Sequence, residues 1–165
     1  MDWVVVVVQW LHVLLGIFWF GNALALDLIV IPAINRLPIV AQREISSYIG
    51  SRATPIFHVV VPLIIVLGII RGTLLGPIKT VDFLFGSAYG WTWLLALTVT
   101  ILTYLFGLFA IIPALHRMDR APVNPDESPT PELVAATTRV KRLVSLELIG
   151  FLVIFTCMIL MRFGL

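Results

Sequence analysis

Hydrophobic residues fall into four long runs, residues 3–31, 55–75, 91–112 and 143–162, separated by connectors that collect charge, proline and glycine. Each run is long enough to cross about 30 Å of hydrocarbon at about 1.5 Å per helical residue. The pattern predicts an all-α fold, an integral membrane antiparallel four-helix bundle forming a single domain over residues 1–165. Spacing in the first run adds to this. His12, Gly16, Trp19, Ala23 and Asp27 step by four, three, four and four residues, which puts them on one stripe of a helix. A stripe with two ionisable groups turns toward protein, because bare charge in hydrocarbon costs several kcal/mol. His12, Trp19 and Asp27 are therefore expected to face inward, with Leu14, Leu15 and Phe18 more peripheral.

Composition agrees: 60% of residues are hydrophobic and 12% charged, and mean hydropathy is +1.06. The first run lacks a basic leader at Met1-Asp2 and is too long for a signal's apolar core, so it is expected to be retained. A net charge of +2 is too small and scattered for nucleic acid. One cysteine, Cys157, leaves no internal disulfide and no cysteine-cluster metal site. The basic residues instead encode topology. Residues 32–54 hold Arg36, Arg43 and Arg52, and residues 113–142 hold Arg117, Arg120, Arg139, Lys141 and Arg142, whereas the middle connector has only Lys79. The positive-inside rule then makes 32–54 and 113–142 cytoplasmic loops of a bacterial inner-membrane protein with both termini outside. The loop 122–132 is rich in proline, and Thr130-Pro131-Glu132 resembles a helix start. Tyr89, Trp91 and Trp93 fit an interfacial aromatic belt or, less simply, a wall over a cofactor pocket.

The chain also repeats itself. LIVIPAINRL at 28–37 aligns with FAIIPALHRM at 109–118, an offset of 81 residues that would make the halves parallel copies of one helical hairpin. The alternative is that membrane helices tend to end in proline and arginine.

Several side chains in the spans could carry chemistry. Asp27, His58, His116 and Glu147 lie toward the cytoplasmic third, one per helix, and could hold a metal. His58 and His116, at similar depth, could instead ligate a haem iron. The competing reading pairs Asp27 and Glu147 with Arg36, Arg52 or Arg142 and has the histidines capping carbonyls. The outer half holds His12, Arg71, Cys157, Met158 and Met161. Imidazole and thioether make a haem pair, and the same soft set suits Cu(I). Gly16 and Trp19 beside His12 leave room for a planar ligand, and Arg71 suits a propionate or snorkels to the interface. His12 lies about 15 Å outward of His58, so the two are expected at different sites, or His12 is expected to pair with a non-histidine ligand such as Met158. The Gly68-x3-Gly72-x3-Gly76 spacing reads as a close-packing face. No nucleophile elbow, phosphate loop or HExxH motif occurs.

His12 followed by Trp19-Phe20-Gly21 resembles the first-helix signature of CopD-like and HemJ-like bacterial membrane proteins. Ala53-Thr54-Pro55 resembles a Met-Thr-Pro step of the HemJ group, and Ser87-Ala88-Tyr89-Gly90 before WTWLLAL resembles a CopD stretch. Two positions depart: Asn22 replaces the second glycine of the first motif, and Ala96 stands where both groups usually carry a lysine. The second departure argues against protoporphyrinogen oxidation and against a standard copper-resistance role. What the resemblance implies is the four-helix membrane architecture and a haem or metal ligand at His12.

The expected function is a membrane haem b protein for electron transfer or porphyrin-linked redox chemistry, an oxidoreductase or a subunit of one. Copper binding or transport is the second reading, and a non-catalytic structural subunit of a membrane complex is the third. The expected partners are the lipid bilayer and a membrane redox partner or quinone, with oligomerisation open.

Overall fold

A computed structural model describes residues 2–126 and 128–165; Met1 of the leader reading and Glu127 of the proline-rich stretch lie outside them. Four helices are long and apolar enough to cross a membrane: α1 Trp3–Ile34, α2 Ile39–Gly72, α4 Ala88–Arg120 and α5 Pro131–Arg162. A short α3, Val81–Gly86, lies between α2 and α4. No strand occurs among the described residues. The chain is an all-α integral membrane protein.

Side-chain caps set several of the starts. The Asp2 carboxylate accepts from the Val4 N–H at 3.0 Å, Ser87 from the Gly90 N–H at 3.0 Å, and Thr130 from the Leu133 N–H at 3.3 Å. Two helices are longer than their apolar runs. Residues 39–54, expected as loop, form the first four turns of α2, and 113–120 and 131–142 extend α4 and α5. Hydropathy ends where the bilayer ends, but a helix continues while its backbone bonds are made, so the connectors shrink to 35–38 and 121–130.

α1 and α4 each contain one π-turn, Leu26–Val30 and Gly107–Ile111. Both begin and end 81 residues apart, the offset of the sequence repeat. Pro32 and Pro113 cause them. Without an N–H, proline cannot bond to the carbonyl four residues back, and its ring crowds it. The preceding N–H of Ile31 instead reaches Leu26 O, and that of Ile112 reaches Gly107 O.

The helices pack as two hairpins, α1 against α2 and α4 against α5, joined by lighter contacts of α2 with α4 and α1 with α5. "Upper" denotes the end with both chain termini, "lower" the end with the 35–38 and 121–130 connectors. A plug of Trp19, Val61, Ile64 and Phe151 fills the middle. The Trp19 and Phe151 rings meet edge to face at 4.7 Å. Outside it, large apolar side chains such as Leu28, Val59 and Phe109 are more than two-thirds exposed, as a bilayer solvent requires. Of the stripe, Trp19 is buried and Leu14 and Phe18 are exposed, but Leu15 packs on the plug rather than at the periphery.

Candidate functional site

Two cavities flank the plug. The upper one, about 560 Å³, is lined by His12, Gly16, Trp19, Arg71, Met158 and Met161, among others. It gathers the residues expected in the outer half, except Cys157, which is buried and not part of the lining.

His12 is held from one side. Its Nδ1 lies 3.1 Å from the Ile64 carbonyl oxygen. A carbonyl only accepts, so Nδ1 carries the hydrogen, and in the neutral tautomer this leaves the lone pair on Nε2. Gly68 makes room for this ring. A Cβ there would lie 3.1 Å from His12 Cε1. One turn on, a Cβ at Gly72 would fall inside the Trp93 indole, whose Nε1 donates to Gly68 O at 3.3 Å. The glycine face of α2 thus seats two side chains from neighbouring helices, His12 of α1 and Trp93 of α4, rather than a helix backbone.

The upper rim is cationic. Arg71 Nε donates to Gln9 Oε1 at 2.9 Å and its Nη1 to Leu75 O at 3.3 Å, which leaves further donors of the guanidinium available. Arg162 lines the same cavity. Tyr89 and Trp93 also line it, so only Trp91 of the expected aromatic belt stands at the surface, 55% exposed, its Nε1 donating to Phe85 O at 2.8 Å. Ala96, buried on α4, opens onto this space as well. The cavity therefore combines a fixed imidazole, two thioethers, aromatic walls and two guanidiniums.

The lower cavity is larger, about 1560 Å³, and more polar. Asp27, Arg43, His116, Asp119 and Lys141 line it. Glu147 on α5 lies within electrostatic reach of Asp27 and close to Gly107, where a Cβ would stand 3.6 Å from Glu147 Oε1. Asp27 Oδ2 is buried without a hydrogen-bond partner.

The expected quartet of Asp27, His58, His116 and Glu147 is not assembled. His58 is exposed on the outside of α2 and its Nδ1 donates to Thr54 O of its own helix at 2.7 Å, so it faces neither cavity and does not oppose His116. Among the described residues no group of three or more His, Cys, Asp or Glu comes together closely enough to hold a metal. His116 does line the lower cavity, but depth alone leaves the rotational phase of a helix open. His12 and His58 are accordingly in different surroundings, and Met158 and Met161 share a cavity with His12.

No protein-family model, curated protein or solved structure matches the chain. Tyr89 and Trp93 line the cavity, as the wall alternative to an aromatic belt expects; sequence reasoning missed Gly68 and Gly72 as seats for side chains. Their signal was the small-residue spacing itself, which says that something approaches closely but not what.

Proposed function

We propose that the chain is a membrane haem b protein of the bacterial inner membrane, similar in kind to the CopD-like and HemJ-like group, with the haem in the upper cavity and His12 as its axial ligand. The observation that carries this reading is the His12–Ile64 hydrogen bond. Metal-ligating histidines donate their second ring N–H to a carbonyl or carboxylate, which fixes the ring and leaves the other nitrogen to the metal. The size of the cavity is in the range of small-molecule and cofactor sites. Met158 or Met161 supplies the second ligand, Trp19 and Phe151 keep water from the floor, and Arg71 with Arg162 meets the propionates. Bound haem supplies one-electron chemistry, and its partner is a membrane redox protein or quinone.

Cu(I) binding is the second reading, favoured by one nitrogen and two sulfurs around a single cavity. Two guanidiniums on the rim weigh against a bare cation and for an anionic cofactor. The basic residues of the lower end support a cytoplasmic position for that end, with the upper cavity toward the outside.

The test is the absorption spectrum of the detergent-solubilised protein, oxidised and reduced, with haem and copper measured per chain. A Soret band in the wild type that is lost in His12→Ala and retained in His58→Ala is expected. Full haem retention in His12→Ala removes this ligand assignment. Stoichiometric copper without haem moves the conclusion to the second reading.

A further inference from the structure

The lower cavity is not used by the reading above. It lies between the two hairpins, with walls from α1, α2, α4 and α5. Across it the hairpins are tied by Arg43 of α2, whose Nη2 donates to the Ala121 carbonyl after α4. That uses one of five guanidinium donors, and Arg43 still lines the cavity. Lys141 of α5 lines it too and is exposed. His116 stands nearby, and Asp119 lies within electrostatic reach of Arg43 and His116 and partly offsets them.

Depth narrows the occupant. The spanning helices have 32 to 34 residues, about 48–51 Å, against about 30 Å of hydrocarbon, so about 9 Å of each end lies at headgroup level. Arg43 and His116 are each four residues from a helix end, about 6 Å, and so sit at that level. Lys141, about 9 Å toward the lower end from Glu147, whose neighbour Asp27 is about 10 Å from the end of α1, sits there too. Further in, the wall becomes apolar: Ile112 lies one turn above His116, and Leu148 two turns above Lys141. A free phosphate would have no use for that wall. A molecule with an anionic head and apolar tails uses both parts, and basic pockets between membrane helices at the cytoplasmic side hold anionic lipid headgroups.

We propose that the lower cavity binds one anionic phospholipid, its phosphate between Arg43 and Lys141 and its acyl chains leaving past Ile112 and Leu148 between the hairpins. The lipid fills the gap where the hairpins diverge and joins them where protein contacts are few. Asp27 and Glu147 lie deeper and take no part in headgroup binding.

Native mass spectrometry of the protein, equilibrated with equimolar phosphatidylglycerol and phosphatidylethanolamine vesicles and then solubilised, tests this. One phosphatidylglycerol is expected to stay bound per chain, in clear preference to phosphatidylethanolamine. Lys141→Gln should weaken retention about fivefold and Arg43→Gln with Lys141→Gln about thirtyfold, while Arg139→Gln, outside the lining, leaves it unchanged. Lys141 is exposed, so its single variant folds even if the double variant does not. Equal retention of the two lipids, preference for the ethanolamine lipid, or unchanged retention in Lys141→Gln would overturn the proposal, whether or not the protein carries haem.

Discussion

The upper and lower cavities are built from the same four helices, yet they are held in opposite ways. In the upper one, two glycines of α2 let His12 and Trp93 lie against its backbone, and each ring is pinned by a hydrogen bond to a main-chain carbonyl. In the lower one, polar side chains from four helices face a wider space, and an arginine clasp crosses it. Rings locked on backbone give a site of fixed shape, as a planar cofactor needs. Charged side chains on a wide mouth give a site that tolerates a flexible occupant. Cavity volume alone favours the lower end; what distinguishes the ends is which side chains are already immobilised.

The plug keeps the two ends distinct, so its removal is the strongest way to break the comparison. Phe151 is 2% exposed and packs against both Trp19, edge to face, and Phe20, tilted. Phe151→Ala should cost about 3–5 kcal/mol, since the surrounding helices cannot fully collapse into the space. Thermal unfolding in detergent should register this as the largest loss among these variants. Cysteines introduced on either side of the plug should then react with the same water-soluble reagent from one face. A variant as stable as wild type would mean that the middle of the bundle is not the close-packed partition described.

Next in size is a change that touches only the upper end. Gly72→Val places a branched side chain where the Trp93 indole lies and should cost about 1–3 kcal/mol by overpacking. It should also displace Trp93 and narrow the cavity, so haem content should fall while phosphatidylglycerol retention at the lower end persists. Loss of both ligands together would show that the two ends are coupled, and the comparison would have to be redrawn.

Much of this was legible in the residues. Four spans follow from hydropathy, and the stripe from His12 to Trp19 gave the inward face because helical spacing and the cost of lipid-exposed charge act together. The repeat was legible as well, since Pro32 and Pro113 recur at one offset and each forces a π-turn. What escaped was rotation and continuation. His58 stood at a plausible depth, but one helix phase decides whether it meets a cavity or bonds back to Thr54. Residues 39–54 were polar enough to end a span without ending a helix. Glycines at 68 and 72 announced a close approach, but the arriving groups were side chains distant in sequence, and no local pattern names them.

A smaller effect tests the deep end of the lower region. Asp27 Oδ2 is buried and lacks a donor, and the neighbouring Glu147 brings a second carboxyl. Glu147→Gln has nearly the same shape and adds an amide N–H that can be donated. It should therefore raise stability, on the order of 1 kcal/mol, the worth of one new buried hydrogen bond. Thermal unfolding at neutral pH is the measurement. A lower midpoint would mean that the second carboxyl is needed in place, and the lower end would then be more finely organised than the contrast allows.

The smallest expected effect lies in the 121–130 connector, which carries the acceptor of the Arg43 clasp. Thr130 Oγ1 donates to Pro122 O at 2.8 Å and joins the two ends of the loop. Inside it, Asp126 Oδ1 accepts from Ser128 Oγ at 2.6 Å and from Ser128 N at 3.1 Å. These bonds, the hydroxyl's first, hold the Asp126 carboxyl below its usual range. A carboxyl lowered by folding stabilises the folded loop above its unfolded value, about 3.9, and that support fades as pH falls through the lowered one. The group is fully exposed, so the effect is local and water screens it. The protection factor of the Ser128 amide, its exchange set against the intrinsic rate at the same pH, should therefore show an excess at pH 6 over pH 3. In Asp126→Ala that excess should vanish, while exchange at Gly90, capped by Ser87 at the upper end, stays as in wild type. An unchanged excess in Asp126→Ala would assign the order of this loop to its prolines and to the Thr130–Pro122 bond, and the clasp would then be held independently of pH.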